Sequence, residues 1–513
     1  MSSIAKSTIM LMVITMLSKV LGFGRELVLT YTYGPSMISD SYITALGIPT
    51  ILFAVVGTSI STSYIPLACE IDKSEGRKEM LCFTNNVSNI VVIIGMMLSI
   101  LVVILAEPIV KVFAMDFSGE KLKLTVEFTR IMIFGVIFIG LSNIMTGWLN
   151  INENFSIPGM IGISFNICII LGIIISTKTN LVVMAIGSLL GMISQFLIQL
   201  PFAIKKGYKY KIDLNLNDKN IKKLIFLIMP VIIGVGVNQL NLIIDRSLAS
   251  TLGDGIITIL NSANKLNGFV IGLFISTIAV VIYPTLSELS TLKDKNEFSR
   301  CVVKSVNTVV LIIIPISIGA IVLSDPVVRI IFERGAFTQK DTYMTSIALS
   351  CYSIGMIGFG LREVLNKVFY ALKDTKTPMF NGAISMGINI VLNLVLIKYL
   401  GYAGLALATS LSAIICIVLF FNSLKKHLGY FGQDVIIKTA IKSFIASVIM
   451  GIVTYLTFSS LSYITNFGVI NDIVNLSISV VVGALLYGII IILLRVEEVN
   501  EMLSILKNRV MKS

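Results

Sequence analysis

Long uncharged runs alternating with short charged connections dominate this chain. Leu81–Ala106, Ile131–Asn152, Phe155–Thr177, Asn180–Ile204 and Leu224–Ile244 contain no Asp, Glu, Lys or Arg. Each exceeds the ~18 residues at which an apolar stretch reads as a membrane-spanning helix. Hydrocarbon offers no partner to an unpaired backbone group, so segments of this kind must be helical. Read along the whole sequence, the pattern predicts fourteen spans. The first covers roughly 4–32 and is interrupted by Lys19, Arg25 and Glu26. The others cover 41–66, 83–106, 128–150, 157–177, 180–204, 222–250, 257–284, 304–324, 342–370, 379–398, 402–424, 437–460 and 472–494.

Composition strengthens this reading. Hydrophobic residues make up 56% and charged residues 13% of the chain, against about 25% charged in soluble proteins. The expected fold class is therefore an all-α integral membrane protein. The N-terminal run lacks an A-x-A-like cleavage site and reads as the first span rather than a signal peptide. The net charge of +12 belongs to short loops and not to a basic soluble domain, so nucleic-acid binding is not expected. Lys205, Lys206, Lys209, Lys211, Lys219, Lys222 and Lys223 share one connection; Lys425, Lys426, Lys438 and Lys442 mark a second, and Lys507, Arg509 and Lys512 the tail. An even span count puts all three on one side, which the positive-inside rule makes cytoplasmic, with both termini. The loops near Gly34, Gly253 and Thr465 carry no Lys or Arg, as expected of the opposite side.

The chain also repeats. Tyr64-Ile65-Pro66 is echoed by Ile282-Tyr283-Pro284, and Glu107-Pro108-Ile109-Val110-Lys111 by Asp325-Pro326-Val327-Val328-Arg329, both 218 residues later. Gly34 matches Gly253, and Pro158 with Gly162 matches Pro378 with Gly382, at nearly the same spacing. The offset spans six helices, which predicts two parallel six-helix repeats, as in several transporter folds. The expected organisation is an N-lobe over 1–215, a C-lobe over 216–430, and two further helices with the tail over 431–513. Such lobes enclose a central cavity.

Ionisable groups within spans mark candidate sites. Lys19, Arg25 and Glu26 lie in the first span, Asp40 opens the second, Arg130 opens the fourth, Asp245 and Arg246 lie in the seventh, Lys265 in the eighth, and Arg362, Glu363 and Lys367 in the tenth. Snorkelling or structural pairing is the alternative, above all for Arg130 and Lys367 near span ends. Cations facing a cavity suit an anionic substrate such as a phosphate. Asp245, Asn389, Asn393 and Thr409 form an oxygen-bearing set, with the two asparagines on one helix face. These oxygens suit a hard cation such as sodium; interhelical hydrogen bonding is the competing reading. Six scattered cysteines and a single histidine, His427, give no metal-ligand spacing. No catalytic pairing appears, so a transporter and not an enzyme is expected.

The string Leu17-Ser18-Lys19-Val20-Leu21-Gly22-Phe23-Gly24-Arg25-Glu26 resembles the opening signature of the MurJ/MviN family of lipid II flippases. Further matches include Asp40 with Pro49, Gln239-x-Asn241-x-x-x-Asp245, Ala263-Asn264-Lys265-Leu266, Phe332-Glu333-Arg334-Gly335-Ala336-Phe337-Thr338 and Asp374-Thr375-Lys376-Thr377-Pro378. The resemblance implies a fourteen-helix, two-lobed fold of the multidrug/oligosaccharidyl-lipid/polysaccharide exporter superfamily in a bacterial cytoplasmic membrane. It implies lipid II, an undecaprenyl-pyrophosphate glycan, as substrate, with membrane lipids and the cell-wall synthesis machinery as partners. By resemblance Lys19, Arg25 and Lys265 hold the pyrophosphate, Asp40 and the neighbouring Glu26 are acidic site residues, and Asp245, Asn389, Asn393 and Thr409, with a main-chain oxygen of Leu405, look like a sodium site. This chain departs from the family pattern in having Lys19 and Lys265 where arginines are usual, Ile51-Leu52-Phe53-Ala54 in place of an Arg-Arg pair, and Asn393 in place of an acidic ligand. The alternatives are a flippase for another undecaprenyl-linked surface glycan and a cation-coupled drug exporter, which predicts an acidic, aromatic-lined cavity.

Overall fold

The structure is a computed structural model that describes residues 3–291, 295–464 and 468–500. Thr465 and the tail residues Lys507, Arg509 and Lys512 lie outside the described residues. Every regular element described is a helix, as an apolar chain in hydrocarbon requires: α1 (Ser3–Tyr33), α2 (Met37–Ser74), α3 (Arg77–Ile104), α4 (Ala106–Phe113), α5 (Gly119–Met132), α6 (Gly135–Ile151), α7 (Ser156–Ser176), α8 (Val182–Lys205), α9 (Lys219–Ser250), α10 (Ile256–Thr291), α11 (Lys295–Val322), α12 (Ser324–Phe332), α13 (Gln339–Ile354), α14 (Met356–Ala371), α15 (Lys376–Leu428), α16 (Gln433–Ile464) and α17 (Val469–Leu493).

Among the described residues, eight helices are long and apolar enough to cross a membrane, or eleven when each bent pair counts as one span. Three departures from the sequence expectation have local causes. The 128–150 span consists of α5 and α6, bent by 40°, and the 342–370 span consists of α13 and α14, bent by 42°. The 53-residue α15 contains both the 379–398 and 402–424 spans, which meet at Gly401. There φ is +55° and ψ −131°, a conformation that glycine adopts without the Cβ penalty. The acid-Pro segments of the repeat, expected in connections, form the short helices α4 and α12. Long, short and broken helices follow the same order from α1 to α8 as from α9 through α15.

The chain folds into two compact units. The first is Met1–Thr258 with Arg334–Phe337; the second is Ile259–Glu333 with Thr338–Ser513. The division differs from the 1–215, 216–430 and 431–513 boundaries, because α9 packs on α2 and α4 and so groups with the helices before it. In the first unit Tyr64, Phe83, Met145 and Trp148 form a core under α2, α3 and α6. In the second, Val306, Val309, Ile313, Phe369 and Phe420 fill the space between α11, α14 and α15, while α16 packs on α11 and α17.

Candidate substrate-binding site

In the first unit α2 opens with a capping box: Ser36 and Ser39 satisfy each other's backbone N–H. This fixes the first turn and turns Asp40 inward to 0% exposure. Lys121 on α5 donates to Asp40 Oδ2 at 2.9 Å and to Asp254 Oδ1 at 2.8 Å. The Gly255 N–H donates to Asp40 Oδ2 at 2.7 Å, and the Thr258 N–H and hydroxyl donate to Oδ1 at 2.9 and 2.8 Å. Asp40 thus caps the start of α10 from another helix, where a negative charge is favoured. The Lys121 ammonium also sits 4.2 Å from the Phe117 ring centroid. Asp40, expected among the substrate-binding residues, is enclosed here with both oxygens engaged. It holds the fold and offers no face to a ligand in this arrangement. The part played by Lys121, 81 positions away in sequence, was not legible beforehand.

Deeper in the same unit the charges are arranged differently. Arg25 is half-buried, with its guanidinium carbon 5.7 Å from the Phe165 ring centroid. Glu26 is 3% exposed and lies within electrostatic range of Arg246. Tyr42, within range of Arg25 and Glu26, shares a 2.7 Å hydrogen bond with Ser188. The Arg246 guanidinium lies against the backbone of α2 at Gly47, so close that a Cβ there would overlap its Nη1 atom. Only glycine admits that approach. Nη1 is buried and has no hydrogen-bond partner among the described residues. Arg246 stood out in the sequence as a charge within a span, but not as part of this group.

Next to Arg25 is a cavity of about 460 Å³ lined by Thr50, Phe53, Thr58, Asn143, Phe165 and Gln195, among others. Phe165 is shared by the cavity wall and the Arg25 contact. Hydroxyl and amide groups from α2, α6 and α8 therefore meet a guanidinium at its rim, a donor-rich lining suited to an anion with hydroxylated groups. Asn143 and Gln195 escaped the sequence reading because a single amide in an apolar span looks like any interhelical hydrogen bond.

The remaining expected residues are spread out. Lys19 is exposed on α1, and Lys265 is exposed on α10 in the second unit. Arg130 is exposed, with its Nε donating to the Val103 carbonyl at 3.3 Å, and Lys367 stacks over Tyr283 at 5.5 Å; both fit the structural alternative considered for them. Asp245 in the first unit accepts from Asn241 at 3.2 Å. In the second unit Asn393 Nδ2 donates to Asn389 Oδ1 at 3.0 Å, the Thr409 hydroxyl to the Leu405 carbonyl at 3.0 Å, and Asn389 Nδ2 to Thr409 Oγ1 at 3.4 Å. Asn389, Asn393, Leu405 and Thr409 do come together within that unit, where the Asn389, Leu405 and Thr409 oxygens accept from N–H and O–H donors. In this arrangement they fit an interhelical hydrogen-bond chain.

Comparison with known proteins bears on the whole chain. The family model described as "Lipid II flippase MurJ" matches residues 29–486. The probable lipid II flippase MurJ of Vibrio cholerae serotype O1 is 30% identical over 435 residues, covering 82% of this chain and 82% of that protein. A solved structure, "Lipid II flippase MurJ, inward closed conformation", superposes with a TM-score of 0.81 at 29% identity, covering 94% of this chain and 99% of the other. An inward-facing multidrug resistance MATE family transporter of the MOP superfamily matches with a TM-score of 0.68 at 12% identity, over 83% of this chain and 99% of that one, which is a likeness of fold alone. The chain is a multi-pass membrane transporter and belongs to the MurJ lipid II flippase family.

Proposed function

We propose that this protein moves lipid II from the cytoplasmic to the outer leaflet of a bacterial cytoplasmic membrane by alternating access. The observation that carries the reading, beside family membership, is Arg25 resting on Phe165 in the wall of a donor-lined cavity. A pyrophosphate is an anion that guanidinium groups hold bidentately. The sugar hydroxyls and peptide amides of the precursor suit the Thr50, Asn143 and Gln195 lining, while the lipid tail stays in the bilayer. The lysine-rich connection after α8 supports a cytoplasmic position for both termini, by the positive-inside rule. An inside-negative potential then favours return of the unloaded cationic cavity, by about 2.3 kcal/mol per charge per 100 mV. The enzymes that make and consume lipid II are the partners this reading supplies.

Complementation tests it: a bacterium depleted of its own lipid II flippase expresses this chain, wild type or Arg25→Ala, at matched membrane levels. Rescue by the wild type and failure of the variant support lipid II export through the guanidinium site. Continued accumulation of lipid II inside cells that carry the wild type in their membrane removes lipid II as the substrate, leaving another undecaprenyl-linked glycan as the reading.

A further inference from the structure

The connection between α8 and α9 is neither helix nor strand over 208–215, yet three asparagines of α3 tie it down. Asn85 Nδ2 donates to the Lys209 carbonyl at 3.0 Å. Asn89 Nδ2 donates to the carbonyls of Lys211 and Asp213 at 3.3 and 2.7 Å. Asn86 Nδ2 donates to the Asn215 carbonyl at 2.8 Å, and the Asn215 N–H returns a bond to Asn86 Oδ1 at 3.1 Å. The segment therefore passes Asn85, reaches Asn89 one turn further along α3, and comes back to Asn86. Tyr208 secures its start against Trp148, ring centroids 5.5 Å apart, and the Tyr210 hydroxyl donates to Asn89 Oδ1 at 2.7 Å.

Depth follows from length. The 28 residues of α3 span about 42 Å at 1.5 Å per residue, against about 30 Å of hydrocarbon. With the third span running over 83–106, Asn85 lies at the hydrocarbon boundary and Asn89 about 6 Å inside it, on the side of the α3 N-terminus. Irregular backbone at that depth persists only where its polar groups are satisfied. Asparagine amides satisfy the Lys209, Lys211, Asp213 and Asn215 carbonyls and the Asn215 N–H, and the segment in turn satisfies amides that would otherwise be buried unpaired. Its side chains alternate: Tyr210, Ile212, Leu214 and Leu216 are 61%, 82%, 50% and 61% exposed, and between them stand Lys209, Lys211, Asp213 and Asn215. Lys205, Lys206, Lys209 and Lys211 are all exposed.

We propose that residues 207–217 form a re-entrant dip that binds anionic lipids of the leaflet at the N-terminal end of α3. Tyr210, Ile212, Leu214 and Leu216 enter the acyl region, and Lys209 and Lys211, with Lys205 and Lys206, meet the phosphates. An aqueous protein partner is disfavoured because the apolar row continues the lipid-facing side of α3, where Ile93, Ile94 and Met97 are exposed. Clustered lysines beside such a row match the charge of an anionic leaflet.

The test uses the full chain in nanodiscs of phosphatidylcholine alone or mixed with phosphatidylglycerol, carrying Ile212→Trp; the signal of buried Trp148 is taken from the parent chain. Quenching of the new tryptophan by nitroxide-labelled lipid, with protection from aqueous iodide, is expected. Labelled phosphatidylglycerol should quench more than labelled phosphatidylcholine, and K209Q/K211Q should reduce that preference about fivefold or more. Iodide quenching without nitroxide quenching overturns the proposal and makes the apolar row a protein-docking surface. Equal quenching by both labelled lipids, indifferent to the lysine changes, overturns the anionic-lipid assignment. Asn86→Ala with Asn89→Ala should speed trypsin cleavage after Lys209 and Lys211; an unchanged rate overturns the asparagine clamp and with it the ordered dip.

Discussion

Two regions of the first unit bury charge, and they do so to opposite ends. Around Asp40 every charge has its counterpart: the carboxylate accepts from Lys121, Gly255 and Thr258, and Lys121 reaches on to Asp254. Around Arg25 and Arg246 the set stays open, with Nη1 of Arg246 unpartnered among the described residues and Arg25 resting on a ring at a cavity wall. A buried ionisable residue in a span is thus not by itself a mark of substrate. What separates the two regions is whether neighbours complete the set. A completed set stabilises, and an incomplete one is available to a ligand.

The largest effect should come from breaking the completed set on one side. Lys121→Met leaves Asp40 buried without its cation, which costs about 3–5 kcal/mol. Thermal unfolding in nanodiscs should show a large drop, and Asp40→Asn added to Lys121→Met should recover most of it, since replacing both members of a buried pair is often near neutral. A single variant as stable as wild type would show that the clasp is open in the membrane. Next in size is Gly47→Ala, whose Cβ takes the space of the Arg246 guanidinium at a cost of about 1–3 kcal/mol. Adding Arg246→Ala should restore stability but not rescue of flippase-depleted cells. Recovery of both would make Arg246 structural and collapse the comparison.

Legibility in the sequence followed the same divide. Spans were readable because hydrocarbon leaves no alternative to a helix, and Gly401 falls between two of the predicted ones. Helices α4 and α12, of eight and nine residues, are too short for a hydropathy run to reveal, although their acid-Pro openings had surfaced as repeat markers. Arg25 and Glu26 could be singled out as charges amid apolar residues. Lys121 could not, because it stands in the polar string Gly119-Glu120-Lys121 and its bond to Asp40 crosses 81 positions. Asn85, Asn86 and Asn89 lie in an uncharged run and became meaningful only once the loop they hold was seen. Periodicity reports which face of a helix is polar, but not which distant backbone it meets.

A completed set outside the spans gives a milder case. Asp374 accepts from the N–H groups of Lys376 and Thr377 at 3.0 and 2.9 Å and pairs with His427 at 3.2 Å. Burial pushes its carboxyl up, but the Thr377 bonds and the His427 charge outweigh this and hold it below the ordinary value. A depressed carboxylate stabilises above its unfolded pKa, about 3.9, and that contribution is lost as pH falls through the lower folded value. Asp374→Ala should therefore cost about 1 kcal/mol at neutral pH, as for other helix-start caps. The gap between variant and wild-type melts should narrow below pH about 4; a gap unchanged in acid would mean the carboxylate charge contributes nothing.

The smallest stability effect is expected at Arg25, the residue to which the proposed function gives the pyrophosphate. Arg25 makes a ring contact at 5.7 Å, worth about 0.5–1 kcal/mol at a partly exposed site. Arg25→Ala should melt within a few degrees of wild type, and so should Arg25→Lys. If the cation serves only to balance the neighbouring carboxylate, lysine restores transport in full. If it holds a pyrophosphate through two parallel hydrogen bonds, lysine keeps the charge but loses the planar fork, and rescue stays well short of wild type. A drop in stability as large as that of Lys121→Met would place Arg25 among the completed sets and remove it from the site. Near-native melting with lost rescue, and a lysine variant intermediate between alanine and arginine, is the pattern that an open guanidinium site requires.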